Sequence, residues 1–102
     1  MQALGFVEIQ GVVAAVTALD LMLKAAAVSL VTWERKLGGR LVTIIVTGDI
    51  AAVNAAMEVA RTQGIKEPCA TLVLARPHPE TQRLVALSAK RLEKTRKGAE
   101  EQ

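Results

Sequence analysis

Val7 and Ile9 share one side of the run Leu4–Gln10, with Glu8 between them. This two-residue alternation predicts a first strand, which Gly11 ends. Val12–Ala27, rich in Ala, Leu and Met, predicts a helix. Val28–Glu34 is β-branched and aromatic and predicts a second strand. Leu37-Gly38-Gly39 signals a turn in which the paired glycines supply positive φ. In Leu41–Thr47, the strongest strand, Val42, Ile44 and Val46 line one face and Thr43 and Thr47 the other. Asp49 is a natural N-cap for a helix from Ile50 to about Gln63, and Gly64 stops it. A connection containing Pro68 leads to a fourth strand, Ala70–Arg76, which Pro77 and Pro79 end. Pro79 can open a last helix that continues from Glu80 to about Lys94.

The order β-α-β-β-α-β plus a terminal helix is that of a mixed α/β (α+β), ferredoxin-like or split β-α-β domain. The Leu37–Arg40 turn joins its two middle strands as a hairpin. At 102 residues the chain has room for one domain.

Composition narrows the functions this fold could carry. Aromatics make up 2% of the chain, one Phe and one Trp without any Tyr, so base-stacking platforms for nucleic acid are not expected. A single cysteine, Cys69, and a single histidine, His78, exclude an intramolecular disulfide, a multi-Cys zinc site and a His-rich metal centre. Neither a metal nor a cofactor is expected. The absence of a disulfide framework in a short chain favours a reducing, cytoplasmic compartment. The N-terminus has no positive n-region. The apolar stretch Gly11–Val31 carries Asp20 and Lys24 near its centre, each costing about 2.5–3.5 kcal/mol in a bilayer, so no membrane association is expected. Of the net charge of +3, the segment 90–102 holds a surplus of two, which marks it as a charged tail on a nearly neutral body, 1–89.

The helix faces point to assembly. Between Val12 and Ala27 only Thr17, Asp20 and Lys24 are polar, and Asp20 and Lys24 are spaced to pair with each other. A helix apolar nearly all round needs cover on more than one side, and a neighbouring subunit can supply it. The next helix is small-sided through Ala51, Ala52, Ala55, Ala56 and Ala60, which suits close packing on a sheet.

No catalytic constellation emerges. Asp49 caps, Asp20 has Lys24, Glu58 lies on an exposed helix face and Glu80 favours a helix N-terminus. A Cys69–His78 nucleophile pair is the one arrangement of that type the sequence offers, and nothing in the spacing supports it. Gly38-Gly39-Arg40 lacks the G-x-x-x-x-G-K-[ST] pattern and is not followed by a helix. It does stand among Arg35, Lys36 and Arg40, opposed by Glu34. Repeated around a ring axis, such a loop would favour anions.

Four segments taken together, Ala3–Glu8, Leu21–Ala26, Leu41–Asp49 and Arg76-Pro77-His78, resemble the single-domain shell proteins of bacterial microcompartments, the hexameric BMC domain family. The resemblance covers about residues 3–87. It implies a non-enzymatic structural protein that self-assembles: a cyclic hexamer tiling edge to edge into a shell layer, with a central pore that passes metabolites. It further implies that Lys24 is a hexamer-edge lysine, that Arg76, Pro77 and His78 form the edge stretch facing a neighbouring hexamer, and that Gly38, Gly39 and Arg40 form the pore loop, with Lys36 close by. Other shell proteins, and encapsulated enzymes through the C-terminal region, are the implied partners. The chain departs from the family pattern where Gly39 replaces the usual serine and Arg40 the second glycine, after one extra residue in Glu34-Arg35-Lys36. If Arg40 points inward, the pore is narrow and anion-selective; if it turns away, Gly39 amides line it. The competing reading is a small oligomeric, ligand-binding regulatory domain of the same topology.

Overall fold

A computed structural model describes residues 2–100. The order is β1 (Ala3–Ile9), α1 (Val12–Ala25), β2 (Ser29–Lys36), a short 3-10 turn (Leu37–Gly39), β3 (Leu41–Gly48), α2 (Ile50–Gln63), β4 (Ala70–Leu74) and α3 (Pro79–Glu100). The strands form one antiparallel sheet in the order β2-β3-β1-β4, the arrangement of the ferredoxin-like fold.

Alternation sorts the two faces. Val7, Ile9, Val42, Ile44 and Val46 are buried under α1 and α2, which contribute Ala14, Ala15, Ala18, Met22, Val53, Ala56, Met57 and Ala60. The alanines let both helices sit close. Gly5 does the same from the sheet side: a Cβ there would lie 2.8 Å from Val53 Cγ1 and 2.9 Å from Met57 Cε. The other face is partly covered by α3, whose Val85 is buried with Leu4 and Ile45. A polar tether reinforces this contact. The buried Thr32 and Ser88 hydroxyls are 3.0 Å apart, and Ser88 donates to the Glu34 carboxylate.

Element boundaries shift for local reasons. α1 ends at Ala25 rather than Ala27, because Ala26 turns to extended backbone and its carbonyl accepts the Val28 amide at 2.9 Å. β2 runs on to Lys36, which pairs with Leu41. β4 ends at Leu74 opposite Leu4, before Pro77 can interrupt a ladder. Asp49 caps α2 as expected, accepting the Ala52 amide at 2.9 Å. Gly64 follows α2 with φ −78°, so that helix ends without a left-handed cap. α3 starts at Pro79 but continues to Glu100, sustained by Leu, Ala, Lys, Arg and Glu, all strong helix formers. The charged segment from Lys90 therefore forms the C-terminal half of α3, and its last two residues, 101 and 102, lie outside the described residues.

Candidate functional site

Three residues in succession, Leu37, Gly38 and Gly39, take positive φ values of 55°, 67° and 91°, and Arg40 then returns to ordinary helical backbone. The glycines occupy that region without steric cost, whereas Leu37 does so against its Cβ. One hydrogen bond ties the turn to the start of α1, and Gly39 sits close against that helix. The Gly11 amide donates to the Arg40 carbonyl at 3.2 Å, and a Cβ on buried Gly39 would meet Val12 Cγ2 at 3.0 Å. Gly38 faces open space. Gly39→Ala is therefore expected to cost about 1–3 kcal/mol, adding crowding to left-handed strain, and Gly38→Ala about 1 kcal/mol from strain alone. Thermal melts of the two variants check this; equal losses would mean that the Val12 contact contributes nothing.

Strand register fixes where the sequence-derived candidates lie. Ile9 pairs with Val42 and Lys36 with Leu41, so the Lys36–Arg40 turn sits at the end of the sheet where β1 finishes. Ala3 pairs with Gly48 and Leu4 with Leu74, so Arg76, Pro77 and His78 lie beyond the end where β1 begins. α1 leads back to that second end, where the Ala27 carbonyl closes on Gly48, and this places Lys24 there too. The glycine loop and the Lys24/Arg76 group thus occupy opposite ends of a sheet about 20 Å long along β1.

Their surroundings differ in kind. Lys36 and Arg40 are exposed and form no ion pair among the described residues. Arg40 shares a shallow recess of about 350 Å³ with Gln10, Gly11 and Lys66. Sequence reasoning missed Lys66. The signal that could have found it is topological: α2 starts beside Gly48 and runs the length of the sheet, so the residues after Gln63 emerge beside the turn. At the opposite end Lys24 Nζ lies 2.8 Å from Asp20 Oδ2, with both side chains largely exposed. Arg76 is exposed and forms no side-chain hydrogen bond or ion pair among the described residues. Pro77 is buried, and its carbonyl accepts from Gln82 Nε2 at 2.9 Å. His78 caps α3: its Nδ1 accepts the Glu80 amide at 3.0 Å, and its carbonyl accepts the Gln82 amide at 3.0 Å. Cys69 and His78 flank opposite ends of β4 and do not come together. No group of His, Cys, Asp and Glu among the described residues could hold a metal ion. No helix among them is long and apolar enough to cross a membrane.

The BMC domain profile matches residues 3–77. The bacterial microcompartment shell protein PduA of Citrobacter freundii is 43% identical over 86 residues, covering 82% of this chain and 91% of that one. The shell protein EutM of Escherichia coli K12 is 40% identical over 92 residues, covering 88% and 94%. The carboxysome shell protein CcmK2 of Synechocystis is 44% identical over 80 residues, covering 74% and 77%. Among solved structures, a microcompartment protein from Desulfitobacterium hafniense DCB superposes with a TM-score of 0.74 at 26% identity over 86% of this chain. The chain spans about half of that structure's length, 48%.

Proposed function

The chain belongs to the BMC domain family, and from that premise we propose that it is a structural subunit of a bacterial microcompartment shell, working in the cytoplasm as a cyclic hexamer. Gly38, Gly39 and Arg40, with Lys36 beside them, surround the pore, and Lys24, Arg76, Pro77 and His78 form the rim. Rings tile with one another and with other shell proteins, and small anionic or polar metabolites pass through the centre. The role is architectural, as in the shell proteins the chain resembles, and the chain is not an enzyme.

The observation that carries this reading is the polarity of the domain. A ring needs one end of each wedge at the axis and the other at the rim. The basic glycine loop lies at one end of the sheet, and the two exposed cations of the edge group lie at the other. The surface of α1 supports it. Val13, Val16 and Leu23 are 74%, 48% and 41% exposed along one side of that helix, an apolar stripe that a neighbouring subunit would cover. The side of α3 that faces away from the sheet is the surface open to encapsulated enzymes.

Light scattering after size-exclusion chromatography tests the ring. The expected mass is about six subunits of 10.9 kDa, or larger sheets built from them. A monomer or dimer at all concentrations would overturn the hexamer.

A further inference from the structure

We propose that Leu37 of each subunit seats on Ile65 of the next copy of the chain, so that the side chain of the strained turn is buried only in the ring. The inference rests on the ring reading and adds to it the contact that closes the ring beside its axis.

Leu37 is out of place on two counts. Its φ of 55° works against its Cβ. Its side chain is also 70% exposed, so burial within the subunit does not offset that cost. Gly39, not Leu37, is the turn residue that lies against α1. Asn or Gly would suit the left-handed backbone better. What leucine adds is apolar surface, and a costly conformation kept at an exposed site points to a contact outside the subunit.

The matching surface lies on the opposite flank. β2 and β4 are the two edge strands of the sheet. The turn joins β2 to β3 on one flank, and the chain after α2 enters β4 on the other. Ile65 stands in that connection and is 63% exposed. It lies at the same end of the sheet as the turn. Its neighbour Lys66 borders the Arg40 recess, and the Cys69 amide donates to the Glu8 carbonyl near the end of β1. β2 and β4 are three strand spacings apart, about 14 Å, and both side chains are mostly exposed, so Leu37 and Ile65 do not cover each other within one subunit.

A cyclic ring pairs each flank with the opposite flank of the next copy, and the flanks converge toward the axis. Two exposed apolar residues at one end of the sheet, on opposite flanks, are what such a seam brings together. Charge cannot do the same work there. Lys36 and Arg40 come from the turn and Lys66 from the connection, where Glu67 is the single acid. The seam therefore needs an apolar contact that holds against like charge.

Cross-linking tests the contact. Leu37→Cys and Ile65→Cys are combined in a Cys69→Ser background, because Cys69 is the chain's one native cysteine. Mild oxidation with copper phenanthroline should give a ladder of linked products up to about six subunits on a non-reducing gel. Neither single cysteine variant should give it. Separately, Leu37→Asn and Ile65→Asn should each raise the concentration at half-assembly about tenfold or more. Their combination should raise it by less than the product of the two, as expected for residues in contact. Asn tolerates the left-handed backbone, so Leu37→Asn should keep the subunit folded, which circular dichroism checks. A wild-type mass of six subunits without a ladder, or folded Asn variants that assemble like wild type, would overturn the contact and leave the ring standing. A wild-type monomer at all concentrations would overturn both.

Discussion

Replacing Lys24 and Arg76 together by alanine is expected to abolish the tiling of rings into sheets or tubes while leaving each ring intact. The two side chains contribute little to the isolated subunit. Lys24 is held by an exposed pair with Asp20, and such helical pairs are worth about 0.3–0.5 kcal/mol. Arg76 is exposed and unpaired among the described residues. Folding and ring closure should therefore survive, and circular dichroism and solution mass check both. Tiling multiplies the loss. A hexagonal layer has about three edge contacts per ring, and losing about 1.5 kcal/mol of charge-assisted bonding at each totals about 4.5 kcal/mol. At 1.4 kcal/mol per decade, this raises the concentration needed for assembly about a thousandfold. Negative-stain microscopy and pelleting across a concentration series read that change directly. Wild-type tiling by a folded double variant would sink the rim assignment.

Much of the fold behind that expectation was legible in the sequence, because its signals are local. Alternation in β1 and β3, the Asp49 cap and the glycine pair at the turn each depend on residues close in the chain. The features that sequence reasoning missed are long-range or uphill. Thr32, Glu34 and Ser88 meet across more than fifty positions of sequence, and nothing in β2 alone shows that its polar residues face a helix. Leu37 adopts φ 55° because the ladders on either side fix the turn, against its own preference. Lys66 comes beside Arg40 only because α2 and its connection return to that end. The length of α3 was hidden differently: a charged, amphipathic sequence reads equally well as a helix or as a solvated tail.

The charge at the turn leads to the second large expected effect, reversal of ion preference by Arg40→Glu. The substitution is structurally quiet. Arg40 has φ −73°, which any residue adopts, and it binds Gly11 through its own carbonyl rather than its side chain. The glycines that shape the turn are untouched. Electrostatically the change is large: each copy loses a positive charge and gains a negative one, so a ring of six shifts by about twelve charges at its axis. Lys36 and Lys66 remain nearby, exposed or lining the same recess, and would only partly offset this. Rings of basic side chains admit anions and rings of acidic ones admit cations. In planar bilayers under a potassium chloride gradient, the wild-type assembly should therefore show an anion-selective reversal potential and Arg40→Glu a potential of opposite sign. Arg40→Gln should fall between them, which separates loss of a cation from gain of an anion. If all three share one reversal potential while their rings remain intact, Arg40 does not face the conduction path. The backbone of Gly39, which lies close to Val12, would then be the surface that ions meet.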